Sequence, residues 1–187
     1  MNTKSIAEWY DNKYTEMNGG WKIGQDEALR LIEWAEFGHA FKYILLDIGC
    51  GDGDFVSYIS DKFWCIGIDL SEVGIKYASD RGIKSSMFEV ADIETLDYPN
   101  GYFDYLTSIG SIEHVENIDR ALKSCFDLLI EGGKFLCMVP NELWIHKDQP
   151  SEQTHTDEEW TELFKKAGFK VLKVNRRNDL TDFLLTK

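Results

Sequence analysis

Two kinds of hydrophobic pattern divide the chain. Near the N-terminus, Ile6, Trp9, Tyr10, Lys13 and Tyr14 recur at helical spacing, and Asn18-Gly19-Gly20 stops the run. A second helix is expected from about Gln25 to Phe37, where Ala28, Leu29, Leu31, Ile32, Trp34 and Ala35 form a broad apolar face. From Tyr43 onward, short apolar runs alternate with amphipathic segments. Strands are expected at Tyr43–Ile48, Trp64–Ile68, Ser86–Val90, Tyr102–Ile109 and Lys134–Val139. Helices are expected at Asp54–Ser60, after the Ser71 cap to about Asp80, and over Ile118–Ile130, where Gly132-Gly133 ends the turn. Thr156 and Glu159 read as a capping box opening a helix through Ala167, with Gly168 as its C-terminal glycine. Phe169–Val174 and Asp182–Thr186 are separated by so short a polar turn that they must be antiparallel neighbours. The sum is five β-α units and a terminal hairpin. That pattern predicts an α/β fold with a doubly wound, mostly parallel seven-stranded sheet, helices on both faces, an antiparallel C-terminal strand and N-terminal helices.

No repeat or Pro/Gly/Ser linker interrupts the pattern, so one domain is expected over 1–187. Within it, 1–40 forms a helical lid or substrate segment and 41–187 a Rossmann-like core. Apolar residues make up 43% and charged residues 28%, the balance of a globular chain. With 33 acidic residues against 20 basic, the net charge of −13 repels phosphate backbones and makes nucleic acid an unfavoured partner. The four cysteines show no C-x-x-C spacing, which argues against a zinc site or disulfide framework and fits a reducing cytoplasm. No apolar stretch approaches the length of a membrane span, and the first residues lack a signal-peptide core. Nothing in the pattern sets an oligomeric state.

The candidate chemistry lies at the strand ends. Gly49, Gly51 and Gly53 alternate directly after a buried strand and before a helix, as needed where a ligand lies against bare backbone. Asp69 ends the second strand roughly twenty residues beyond, where a carboxylate can accept from both hydroxyls of a ribose. Asp92 occupies the corresponding place after the third strand, positioned for the amino group of an adenine sandwiched by Ile93 and Leu70. A nicotinamide oxidoreductase is the rival on this pattern. Asp52 and Asp54 in the turn would oppose its pyrophosphate.

Residues from about 43 to 187 resemble the class I S-adenosylmethionine-dependent methyltransferases, especially the compact small-molecule type. The resemblance is carried by Asp47-x-Gly49-x-Gly51-x-Gly53, Asp69, Ala91-Asp92, Phe103-Asp104-Tyr105, Ile112-Glu113-His114-Val115 and Leu128-Leu129-x-x-Gly132-Gly133. It implies S-adenosylmethionine as cofactor, with Gly49, Cys50 and Gly51 along its methionine portion and Asp47 supporting the turn. It further implies Asp69 and Leu70 at the ribose, Asp92 and Ile93 at the adenine, and Ser108 and Ile109 near the transferred methyl. No metal is implied.

His114, placed after the fourth strand, is the leading candidate for general base, with Glu113, His146 and His155 behind it. Tyr10, Tyr14 and Trp21 are candidates for an aromatic lid beside a sulfonium, with His146 in the loop over the acceptor. The D/N-P-P-Y/F sequence of adenine-amine enzymes is replaced by Ser108-Ile109-Gly110-Ser111, and no Pro-Cys pair occurs. A small-molecule acceptor methylated on oxygen or nitrogen is therefore expected. The alternatives are a protein or peptide acceptor, or a catalytically inactive cofactor-binding subunit.

Overall fold

The computed structural model describes residues 3–38, 42–145 and 149–187. Helices α1 (Thr3–Met17) and α2 (Gln25–Ala35) precede the sheet. The chain then runs through β1 (Ile44–Ile48), α3 (Asp54–Ile59), β2 (Trp64–Asp69), α4 (Glu72–Asp80), β3 (Ser86–Val90) and β4 (Phe103–Ile109). After a single helical turn at Ile112–His114 come α5 (Ile118–Leu128), β5 (Leu129–Pro140), α6 (Asp157–Ala167), β6 (Lys170–Arg176) and β7 (Leu180–Thr186). The sheet order is β3-β2-β1-β4-β5-β7-β6. Strands β1 to β5 pair in parallel, whereas β7 slots antiparallel between β5 and β6. The α/β architecture and the antiparallel hairpin agree with the sequence pattern.

Alternation along the central strands supplies both faces with a core. Leu45 faces the cluster formed with Ala28, Leu31 and Ile32 of α2 and Phe55 and Ile59 of α3. Its neighbour Leu46 faces the opposite cluster, with Leu122 and Cys125 of α5 and Trp160 and Phe164 of α6. Helix α6 is secured at both ends. Thr156 and Glu159 form the reciprocal capping box, and Gly168 closes the C-terminus at φ 112°. Inside, the Trp160 indole N–H donates to the Pro140 carbonyl at 3.0 Å.

Two expectations are corrected. The crossover from β3 to β4 carries no helix, so four connections within the sheet are helical rather than five. Leu96 and Tyr98 in that crossover pack directly on the core that a helix would have covered. Second, α5 stops at Leu128, because Leu129 adopts an extended conformation and pairs with Phe103. Gly132 and Gly133 thus lie within β5, where the register shifts between Phe103 and Tyr105. Glycine is required there, since a Cβ on Gly133 would approach the Asp104 carbonyl to 2.9 Å.

Removing Trp160, which is fully buried, should cost about 3–5 kcal/mol through lost burial and a cavity. Thr156→Ala should cost only about 1 kcal/mol. Urea unfolding of the two variants checks the ordering.

Candidate active site

The order reverses between β1 and β4, and the glycine turn sits at the carboxyl end of β1 beside that reversal. The Gly49 and Cys50 amides both donate to the Ile68 carbonyl, at 2.8 and 2.9 Å, stitching the turn to β2. Gly49 and Gly51 hold left-handed conformations, φ 70° and 54°. Both are also crowded. A Cβ on Gly49 would lie 1.7 Å from the Ser111 hydroxyl, and one on Gly51 2.7 Å from the Tyr14 hydroxyl.

Buried Asp69 joins the turn to α4. One carboxylate oxygen accepts from the Gly51 amide at 2.9 Å and the other from the Ser71 amide at 2.9 Å. Behind the turn, Asp47 accepts from the Thr107 hydroxyl at 2.7 Å.

A cavity of about 310 Å³ opens over these strand ends. Among the residues singled out from the sequence, Asp47, Gly49, Cys50, Gly51, Asp69, Leu70, Asp92, Ile93, Ile109, His114, Tyr10, Tyr14 and Trp21 all line it. Ser108 does not. Its side chain is buried and its hydroxyl accepts from the Ile112 amide at 3.0 Å, which caps the turn that carries Glu113 and His114. His146 lies outside the described residues. His155 packs its ring edge-on against Trp160, away from the cavity wall. The wall also holds Trp144, Gln149 and Glu152 of the loop after β5, together with Glu116. No motif marked these four; the folding of that loop brings in Trp144, Gln149 and Glu152, and Glu116 follows the Ile112–His114 turn.

The N-terminal segment is fastened to the loops that form the wall. Asp11 of α1 accepts from the Ser71 hydroxyl and the Val73 amide, two residues beyond Asp69. Asp52 accepts from the Gly20 amide and pairs with Lys22 and Arg81, while Asp54 accepts from the Ile23 amide at 3.0 Å. The acids of the glycine turn therefore anchor the preceding segment, a role different from the repulsion of pyrophosphate expected from sequence. Tyr14 wedges against the turn, and Trp21 meets both Tyr10 and Tyr14 edge-on with ring centroids 6.0 and 5.8 Å apart. Tyr10 donates to Gln149 at 3.1 Å and meets His114 edge-on at 6.0 Å.

Burial sets the protonation of the groups facing the cavity. His114 is pushed down to about 4, chiefly by desolvation, and its Nδ1 donates to the Pro150 carbonyl at 3.1 Å. Its Nε2 lies 3.7 Å from Oε1 of Glu113. Desolvation raises Glu113 to about 8 and Asp47 to about 7. A base works best when its pKa is near the working pH, so the carboxyl of Glu113 is better matched to proton acceptance than the imidazole ranked first from sequence. Tyr10 is pushed far up by its own burial and by Glu113, Asp69 and Glu152.

These residues suit a nucleoside with a positive charge and no phosphate. Each oxygen of Asp69 holds a spare lone pair for a diol. The glycine backbone leaves room beside it. Among the described residues lining the cavity, Lys22 alone is a fixed cation, and it is engaged by Asp52 and Asp54.

Comparison with known proteins agrees with this geometry. Residues 25–174 match a family model described as a methyltransferase domain. The chain belongs to that family, and its fold is that of the class I, Rossmann-like S-adenosylmethionine-dependent methyltransferases. It is 34% identical over 148 residues to phosphoethanolamine N-methyltransferase 1 of Zea mays, covering 72% of this chain and 30% of that protein. Ajmaline N-methyltransferase of Rauvolfia serpentina is 29% identical over 154 residues, covering 78% of this chain and 51% of that one. The chain thus spans about a third to a half of the length of these relatives. Among solved structures, the cyclase SpnF superposes with a TM-score of 0.87 at 16% identity, covering 100% of this chain and 96% of the other. Phosphoethanolamine N-methyltransferase 2 of Haemonchus contortus, crystallised with S-adenosyl-L-methionine, gives 0.78 at 18% identity, covering 88% and 53%.

The raised carboxyls make stability depend on pH. Between their ordinary values of 3.8 and 4.5 and their folded values of about 7 and 8, the folded protein keeps protons that the unfolded chain has released. Stability therefore falls as pH rises through that window. Scanning calorimetry from about pH 6.5, above the range in which the lowered His114 pulls the other way, to about pH 8 should show a falling melting temperature, and a shallower fall in the Asp47→Asn, Glu113→Gln double variant. A separate measurement concerns the N-terminal clasp. Asp52→Asn with Asp54→Asn should speed amide exchange at residues 20–23 at least about ten-fold, leaving β1 unchanged, as read by hydrogen-exchange mass spectrometry.

Proposed function

We propose that this chain transfers the methyl group of S-adenosylmethionine to a nitrogen or oxygen atom of a small molecule. The observation that supports it most directly is Asp69, buried at the end of β2, held by the Gly51 and Ser71 amides and facing a cavity whose one described cation is already paired. The relatives' names point the same way, since phosphoethanolamine and ajmaline are small acceptors.

In this reading Asp69 and Leu70 hold the ribose, Asp92 and Ile93 the adenine, and the backbone at Gly49, Cys50 and Gly51 the methionine portion, with Asp47 behind it. Ile109 borders the methyl. The bound cofactor supplies a methyl carbon already activated by its sulfonium, so the protein's work is alignment. Fixing two reactants in line is worth roughly 7–11 kcal/mol of barrier. Tyr10, Tyr14 and Trp21 close the site on the N-terminal side and keep water away from the acceptor. The Glu113 carboxyl takes a proton leaving the acceptor, and the neutral His114 imidazole, fixed by its Nδ1–H on the Pro150 carbonyl, stands beside it with Nε2 3.7 Å from Oε1.

Titration calorimetry tests the cofactor part. Wild-type protein should bind both S-adenosylmethionine and S-adenosylhomocysteine. Asp69→Ala should weaken both at least about ten-fold, the loss expected for one charge-assisted hydrogen bond. Equal affinity in the two proteins refutes the assignment. Release of S-adenosylhomocysteine in the presence of small amines or phenols separates turnover from binding alone, and His114→Ala should slow it at least about ten-fold without altering cofactor affinity.

A further inference from the structure

Part of the cavity wall is acidic and aromatic. Glu113, Glu116 and Glu152 line it together with the rings of Tyr10, Trp21 and Trp144. The neighbouring described arginines are committed elsewhere: Arg81 to Asp52 and Asp54, Arg177 to Glu27 and Asp182, and Arg176 to Glu142 and Asp157. Lys22 is held by the two acids of the glycine turn.

Within this wall Glu113 stands apart. Its residue is only 3% exposed, yet its Oε2 has no hydrogen-bond partner among the described residues. Leaving a buried carboxyl oxygen unsatisfied is unfavourable. A ligand that brings an N–H donor and a positive charge removes that cost and gains from the ring faces as well. A phosphate or carboxylate would meet Glu113 and Glu116 and, among the described residues lining the cavity, no fixed cation but Lys22, which is already paired.

We infer that the acceptor is a primary or secondary amine, bound as its ammonium ion between Glu113 and the rings of Tyr10 and Trp21, and that acceptors bearing a phosphate or carboxylate are rejected. This rests on the methyl-transfer reading above and narrows it. It also separates the chain from its maize relative, which is named for a phosphorylated amine. The charge of the bound ammonium favours the ionised form of Glu113, and the ammonium then gives one proton to that carboxylate. The freed nitrogen lone pair then forms the N–C bond while the methyl's C–S bond breaks, its electron pair staying on sulfur. The methylated ammonium and a neutral thioether result. Burial, which raises Glu113 toward the range of amines, makes that proton transfer less steep.

The test uses the full chain loaded with S-adenosylhomocysteine for binding and S-adenosylmethionine for turnover. Phenethylamine, tryptamine and ethanolamine are compared with phosphoethanolamine and hydrocinnamate. At least one amine should bind and be methylated with kcat/KM at least about ten-fold above either anion, and Glu113→Gln should raise its KM at least about ten-fold while leaving S-adenosylhomocysteine affinity within about two-fold. Preference for phosphoethanolamine or hydrocinnamate overturns the inference. So does an unchanged amine KM in Glu113→Gln, or the failure of every amine with a protein that still binds the cofactor. A wild-type protein that binds neither S-adenosylmethionine nor S-adenosylhomocysteine instead removes the methyl-transfer reading itself.

Discussion

Two backbone amides hold the Asp69 carboxylate, one from the glycine turn after β1 and one from the second residue beyond β2. Much of the site depends on this arrangement. It fixes the separation of two loops that no direct strand pairing controls beyond Ile48 and Ile68. It also places Ser71 so that its hydroxyl both caps α4 and donates to Asp11, which brings α1 down over the cavity. A charged oxygen accepting amide hydrogens is among the stronger hydrogen bonds available. Burial deepens its importance, because an unpaired carboxylate there would be costly.

Charge is distributed around the cavity in a way the overall count conceals. Net charge of −13 predicts a negative surface, but it does not say which acids are free. Asp52 and Asp54 belong to the turn yet serve the N-terminal segment, through the Gly20 and Ile23 amides and Lys22. Glu27 and Asp182 are taken up by Arg30 and Arg177 beneath the sheet. The cavity wall itself carries Glu113 and Glu116 beside the rings of Tyr10 and Trp21.

The fold alone leaves the reaction open. The superposition on the cyclase SpnF covers the whole chain, and that protein's name describes chemistry other than methyl transfer. A doubly wound sheet places a ligand at its switch point; the side chains there decide what happens to it. For this chain the family match, the glycine turn and the Asp69 arrangement carry the argument for a methyl donor, and Glu113 carries the argument for the acceptor.

Strand and helix identities were readable along the chain because each is governed by neighbours a few residues away. Alternation sends Leu45 and Leu46 to opposite faces, Thr156 and Glu159 cap their own helix, and Gly49 and Gly51 answer to a local turn. Where a residue's role depends on distant partners, the sequence was silent or misleading. Gly132-Gly133 looked like a helix stop, but the Asp104 carbonyl of a neighbouring strand demands a bulge there. Ser108 looked like a cavity residue, but its hydroxyl is needed under the Ile112 turn. Periodicity and turn chemistry, being local, were settled by the amino-acid order; desolvation is a property of everything packed around a group, so only the tertiary structure could lower His114, raise Glu113 and leave one of its oxygens buried without a partner among the described residues.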